Sequence, residues 1–405
     1  YEISLGLVGS EMCIRDRAGR VDCRTEAEED GSRMMERVIG VNLGNWLVLE
    51  KWMDPGMFEG SGADDETWLN RNMDPEELEE RMRLHRETYI TREDFSEIAS
   101  HGINLVRIPV PYFIFGDRPP FSGCITYLDR AFDWAEEVNL KILIDLHTVP
   151  GGQNGYDNGG ICGVCKWHKD PVEVEYALSV LERLASRYAD RPGLWGIEVL
   201  NEPISFSVWI TSPTFRSAVD KQEAKGSSFV PMRFLKSFYL DAYHRLRKIL
   251  PEDKVIVFHD GFRFAGWNRF FGCHNLKKVR LDTHIYIYAM EHFVPVPAFW
   301  VYRLYIGINK LLIRHVSKHV PVIVGEWCIC NNRANRAESA ELAQKYYLEA
   351  AQLQLDAWSE ASGHIYWSYQ LLRKNDHLME PFWKNSWALR RCWEYGWYPS
   401  QEEQP

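Results

Sequence analysis

The chain of 405 residues lacks a positive charge balance, a long unbroken apolar run and an ordered cysteine pattern. Each absence excludes a class of protein. With 47 Lys and Arg against 57 Asp and Glu, the net charge is −10, which argues against a nucleic-acid binder, because phosphates need a basic face. The most apolar long stretch, Phe293 to Ile313, contains two prolines as well as Arg303 and Lys310. No transmembrane segment is expected there; a covered helix or a lid is. Nine cysteines at irregular spacings fit reduced thiols better than a disulfide scaffold. No internal repeat and no linker divides the chain, so one domain is preferred. What is present, 45% hydrophobic and 26% charged residues, is ordinary for a globular protein with a full core.

The first residues stand apart. Residues 1–17 (YEISLGLVGSEMCIRDR) resemble translated sequencing-adapter DNA, and residues 18–33 are acidic, polar and aperiodic. Residues 1–33 are therefore expected to be a non-native or disordered leader, with the working domain spanning 34–400. A start at Met34 or Met35 leaves no charged n-region and apolar h-region, which implies a cytoplasmic protein. A true leader lost from this position would imply a secreted one.

From Arg37 onward, buried-strand patterns alternate with amphipathic helical ones. Strands are expected at Arg37–Leu43, Asn104–Val110, Lys141–His147, Gly193–Asn201, Lys254–Asp260, Val279–Tyr286, Pro321–Trp327 and His364–Trp367. Helices are expected between most of them, near 91–102, 127–138, 172–188, 232–250, 299–317 and 339–360. Eight strands with helices between neighbours predict an α/β fold, a (β/α)8 TIM barrel with enlarged loops at 51–89, 149–170 and 204–229.

Chemistry in such a barrel gathers at the C-terminal strand ends. There the sequence places Arg107, His147, Asn201, Glu202, His284, Tyr286, Glu326 and Trp367. Pro203 has no N–H for a ladder, so the chain must turn just after Glu202. Each residue alone has an ordinary structural explanation. Two carboxylates at the ends of two buried strands, with these partners, are what glycosidic-bond cleavage by paired acids requires. No cofactor is implied. Cys162-x-x-Cys165-x-x-His168 lacks an evident fourth ligand, so no metal is expected.

The segments Gly40–Glu50 (GVNLGNWLVLE), Leu105–Val110 (LVRIPV) and Leu146–Asn158 (LHTVPGGQNGYDN), with Asn201-Glu202-Pro203, resemble glycoside hydrolase family 5. Within it they are similar to the exo-β-1,3-glucanases, over about Val38 to Tyr398. The resemblance implies a retaining exo-acting β-glucosidase on β-1,3-glucan or its oligosaccharides. Glu202 would be the acid/base and Glu326 the nucleophile, while Glu50, Asp157 and Asn158 would bind hydroxyls of the terminal glucose. Two alternatives stay open: a β-glucosidase of another glucoside, with a disaccharide-bearing aglycone or a glycolipid, and a non-catalytic glycan-binding barrel. The segment Ala289 to Ser317 departs from the fungal pattern, on the acceptor side of the cleft.

In these roles Arg107 is expected to keep Glu326 ionised, with Tyr286 holding it by a hydrogen bond. The negative charge of Glu326 is expected to keep Glu202 protonated near neutral pH. Asn201 is placed to bond the sugar 2-hydroxyl, and Trp367 to floor the subsite. Arg107, His147 and His284 complete the expected substrate-binding set.

Overall fold

In the computed structural model, residues 37–295, 298–371 and 386–400 are described. The expected leader, and the domain start at 34, lie outside them. Eight strands close into a parallel barrel in chain order: β1 (Val38–Asn42), β2 (Leu105–Val110), β3 (Lys141–Leu146), β4 (Leu194–Glu198), β5 (Val255–His259), β6 (Val279–His284), β7 (Val322–Trp327) and β8 (Gly363–Tyr366). β8 returns to pair with β1, Val38 opposite Gly363. A helix follows each strand: α1 (Arg92–Ser100), α2 (Ile125–Glu137), α3 (Pro171–Tyr188), α4 (Met232–Leu246), α5 (Asn268–Cys273), α6 (Phe299–Val316), α7 (Ala340–Trp358) and α8 (Leu389–Glu394). This is the (β/α)8 architecture expected from the sequence. α1 opens as its sequence indicates, with the Asp94 carboxylate accepting the Thr91 N–H at 2.8 Å.

Alternation along the strands sorts the core into two layers. Outward residues such as Val106, Ile108, Ile142 and Ile144 pack beneath the helices. Inward residues at the N-terminal end (Val38, Leu105, Leu143, Val255, Ile323, Ile365) form a separate apolar plug. Higher up, the inward positions turn polar: Asn42, Arg107, Asp145, Glu198, His259, Asp282 and Glu326 are all buried. The barrel interior is thus apolar below and charged above, which fixes the face where chemistry can occur.

Three expectations are corrected. The stretch 51–89 is not a plain loop. It folds into helices at Glu66–Asn72 and Pro75–Thr88, capped by Asp65 and Asp74. Arg107 lies within β2 rather than at its end, and its long side chain carries the charge upward. α6 is not a covered helix. Tyr302, Ile306, Ile313 and Val316 pack inward, but Trp300, Leu304, Ile308 and Leu311 on the opposite arc are exposed. Among the described residues no helix is long and apolar enough to cross a membrane.

Candidate active site

Glu326 faces inward because β7 carries an irregularity. The pairing register shifts between Thr283 and His284 against β6, and between Val324 and Trp327 against β8. Ile323 points into the barrel, and Trp327 points out to the helix layer. The extra residue lets both Gly325 and Glu326 address the interior, as a bulge does. Only glycine fits at 325: a Cβ there would lie 1.9 Å from Asp282 Oδ2, and the Gly325 N–H donates to Asp282 Oδ1 at 2.6 Å.

Glu202 comes from the turn after β4, with φ at +44°, in the left-handed region. Pro203 disfavours the right-handed helical alternative for the residue before it. The turn is pinned by the Asn201 N–H donating to the Leu146 carbonyl at 3.0 Å. Gln153 Nε2 donates to the carbonyls of His147 at 2.8 Å and Asn201 at 3.1 Å. These bonds offset a conformational cost of about 1–2 kcal/mol.

The two carboxylates meet at His284. Its Nδ1 lies 2.8 Å from Glu202 Oε1 and 3.3 Å from Glu326 Oε2. One nitrogen in reach of both holds those oxygens within about 6 Å of each other, under the ~6.5–9.5 Å separation of an inverting pair. Tyr286 Oη donates to Glu326 Oε2 at 2.8 Å, and Asn158 Nδ2 donates to Glu202 Oε2 at 3.0 Å.

Beneath them lies Arg107, fully buried. Its Nε donates to Glu198 Oε2 at 2.7 Å, and its Nη1 donates to Glu326 Oε1 and Asn42 Oδ1, both at 2.9 Å. Nη2 donates to Asn201 Oδ1 at 3.0 Å and faces Asp145 Oδ2 at 3.2 Å. His147 Nδ1 bonds Asp145 Oδ2 at 2.5 Å, and its ring stacks 5.8 Å from Trp367. Arg107, His147 and Asn201 are sealed from solvent, so they act on the cleft through the groups they hold.

Burial raises the Glu326 carboxyl above its ordinary value, against the pull of His284 and Arg107. Burial also acts upward on Glu202, but the His284 hydrogen bond and charge and the Asn158 bond outweigh it, and Glu202 is lowered. Burial acts downward on His284, but the carboxylates around it hold it well above the usual imidazole range. The expectation that Glu326 alone keeps Glu202 protonated is therefore corrected. The sequence showed two carboxylates but not that an imidazole would stand between them. The directions of the two shifts favour a carboxylate on Glu202 beside an imidazolium on His284.

Above this floor opens a cleft of about 910 Å³. Of the residues expected from the sequence, Glu50, Asp157, Asn158, Glu202, His284, Tyr286, Glu326 and Trp367 line it. Burial, then the charge of Asp157, push the Glu50 carboxyl well above its ordinary value, and burial lifts Asp157 to about 6. Trp52 Nε1 donates to Glu50 Oε2 at 2.8 Å. Trp367 is seated by a close approach at Gly44, where a Cβ would lie 2.7 Å from its ring.

Sequence reasoning missed two groups. One is the buried layer of Asp145, Glu198, His259 and Asp282; its signal was polar residues at inward strand positions. The other is the set of aromatic walls: Trp52, Tyr156, Phe262 and Trp387 on irregular segments that carry no periodicity, Tyr288 on a short helix and Tyr305 on α6. Two acid–histidine groupings come close enough to hold a metal, Glu202/His259/His284 and Glu198/Asp282/His284. Several of their donors are already engaged: both Glu202 oxygens are bonded, and His259 Nδ1 accepts the Gly261 N–H at 2.9 Å. Cys162 and Cys165 are buried and free, and neither joins such a grouping among the described residues.

Comparison with known proteins agrees with this geometry. The family model described as Cellulase (glycosyl hydrolase family 5) matches residues 77–370. The chain belongs to glycosyl hydrolase family 5. It is 38% identical over 303 residues to the probable glucan 1,3-beta-glucosidase A of Emericella nidulans, covering 73% of this chain and 67% of that one. It is 34% identical over 303 residues to the glucan 1,3-beta-glucosidase of Blumeria graminis, covering 72% of this chain and 64% of that one. The probable glucan 1,3-beta-glucosidase A of Aspergillus terreus is 30% identical over 374 residues, 83% of each. The chain thus spans about two thirds of the length of the first two relatives. Among solved structures, rutinosidase from Aspergillus niger superposes with a TM-score of 0.69 at 22% identity, covering 90% of this chain and 98% of that one, a likeness of fold.

Proposed function

We propose that this family 5 chain is a retaining, exo-acting β-glucosidase that hydrolyses β-1,3-glucan or its oligosaccharides. The observation that carries the reading is the shared His284 nitrogen. It keeps one oxygen of Glu202 and one of Glu326 within about 6 Å of each other, below the ~6.5–9.5 Å of inverting pairs, which supports the retaining reading.

Glu326, positioned by Arg107 and Tyr286, attacks the anomeric carbon while Glu202 gives its proton to the departing glycosidic oxygen. The bond to the leaving sugar breaks and a glycosyl ester forms on Glu326. A water then surrenders its proton to Glu202 and attacks the same carbon, releasing glucose and restoring both groups. For the first step the proton must sit on Glu202. The Glu202–His284 contact provides it: with the imidazole proton on Nε2, 3.5 Å from Asp282 Oδ2, His284 Nδ1 accepts from a protonated Glu202 instead of donating to a carboxylate. Loss of water around the pair when sugar enters favours that less separated charge state.

Glu50, Asp157 and Asn158 support the exo reading, because buried acid and amide groups there match hydroxyls of a terminal glucose. The early products from a long β-1,3-glucan test it. Glucose alone is expected, and mixed oligosaccharides appearing first would overturn the exo assignment.

A second reading, a β-glucosidase of a glucoside with an apolar aglycone, is favoured by the aromatic acceptor wall of Tyr288, Phe293, Tyr305 and Trp387. A panel of laminari-, cello- and gentio-oligosaccharides run beside a glycolipid separates the two. Preference for the glycolipid would displace the first reading. Failure to cleave even an aryl β-glucoside would point to a glycan-binding barrel.

A further inference from the structure

The outer face of α6 is unlike that of the other barrel helices. Fourteen large hydrophobic side chains are exposed among the described residues, and seven of them fall between Tyr288 and Leu311. On α6 itself Trp300 is 65% exposed, Leu304 56%, Ile308 51% and Leu311 62%. At 3.6 residues per turn these four share an arc of about 80°, opposite the buried Tyr302, Ile306 and Ile313. An outward arc on a barrel helix that faces only water is expected to be polar.

The charge is as distinctive as the apolarity. In a chain of net charge −10, residues 292–325 contain no Asp or Glu, but they contain Arg303, Lys310, Arg314 and Lys318. Arg303, Lys310 and Arg314 lie along one edge of the apolar arc, and Lys318 lies just past the end of the helix. Lys310 pairs with Asp356 of α7, and Arg314 with Glu360 just past its end. Arg303 stacks on Phe299, and neither it nor Lys318 has an ion-pair partner among the described residues.

The same helix forms part of the cleft wall. Tyr305, half-buried on α6, lines the cleft, as do Tyr288 and Phe293 just before it, and Phe293 is 70% exposed. Exposed apolar side chains thus occur both on the outer arc of α6 and at the mouth of the site.

We propose that the outer face of α6 docks on an anionic lipid surface, the helix lying in the interface plane with its Trp300 end and the cleft mouth beside the headgroups. An amphipathic helix with Trp and Leu on one arc and cations at its edge has the form of an interfacial anchor, and α6 is too polar to span. The basic segment matches an anionic surface, whereas a second copy of the same face would bring like charges together. The inference goes beyond the proposed activity and does not need it.

The test is co-sedimentation of the full chain with vesicles of phosphatidylcholine alone, or with about a third phosphatidylserine. Pelleting with the anionic vesicles is expected, falling as salt is raised. L304E/I308E is expected to lower partitioning about tenfold or more, and R303E/K318E to weaken it on anionic vesicles alone. Hydrolysis of a soluble aryl β-glucoside, measured in parallel, reports whether each variant is folded. Should L304E/I308E fail to fold, W300S/L311S carries the same expectation. Absence of pelleting with either vesicle, or pelleting untouched by these variants, overturns the proposal. A dimer in gel filtration that L304E/I308E dissolves, without vesicle binding, also overturns it and makes the face a self-interface. Pelleting without hydrolysis would leave the docking face standing and remove the enzyme reading.

Discussion

Exchanging Tyr286 for Phe removes one O–H and little else. That hydroxyl donates to Glu326 Oε2 at 2.8 Å, while the ring packs 5.5 Å from Trp387, a contact that Phe keeps. Burial, then the charge of Glu326, hold the Tyr286 phenol well above its ordinary pKa, so it is a donor throughout the working range. A hydrogen bond to a charged group contributes about 1.5–3 kcal/mol. At about 1.4 kcal/mol per decade, Y286F is expected to lower kcat/KM roughly tenfold to a hundredfold. The pH profile gives a second, independent reading. Glu326 must be ionised to attack, and burial already raises its carboxyl. Losing a donor to the charged form raises it further, so the acid limb of kcat/KM is expected to move to higher pH. The assay is hydrolysis of an aryl β-glucoside over about pH 4 to 8, with a melting curve to check the fold. An efficiency within about threefold of the parent, with the acid limb unmoved, would refute the claim that this bond holds Glu326.

Other expectations follow from the same geometry. Glu202→Gln should cost about 10²- to 10⁴-fold on an oligosaccharide and far less on an aryl glucoside whose leaving group needs no proton; equal losses on both would argue against the acid role. Asp157→Ala should lower catalytic efficiency roughly tenfold to a hundredfold with an unchanged melting curve, because sugar hydroxyls lose a buried partner, and a full-rate variant would place that hydroxyl elsewhere. His364 is buried beside Trp327, and burial, with Arg37 nearby, lowers its pKa from 6.5 to about 3. The unfolded chain takes up that proton first, so the stability from neutral His364 is full above pH 6.5 and is lost as pH falls toward 3, at about 1.4 kcal/mol per unit. His364→Met should flatten the acid side of the Tm profile, and an unaltered slope would refute the assignment. Deleting residues 1–33 should leave activity and Tm unchanged, and a large loss of either would show that the segment belongs to the fold.

The strands were legible because parallel strands buried on both faces read as short β-branched runs, and all eight were located to within a few residues. The site was legible where chemistry coincides with a strand end: Glu202, His284 and Glu326 announce themselves by position. The helices at Glu66–Asn72 and Pro75–Thr88 were not, since one is a two-turn helix and the other is strongly charged, with few apolar positions to set a period. Two electrostatic features were also hidden. Arg107 joins Glu198, Asp145 and Glu326 across positions far apart in the chain. The placing of His284 between both carboxylates depends on the local register of β6 against β7, which no one-dimensional pattern encodes.

The irregularity in β7 has a consequence for anyone recombining these barrels. A strand is a parity code, with odd and even positions bound for opposite sides of the sheet. Glu326 reads against its parity, because with Ile323 inward a regular strand would send Gly325 inward and Glu326 outward among the helices. The extra count that turns it back depends on Gly325, a residue with no chemistry of its own. Moving the carboxylate one place back, to 325, would drive a side chain into Asp282. A graft of this strand into another barrel therefore has to carry the glycine and the facing Asp282 together with the acid.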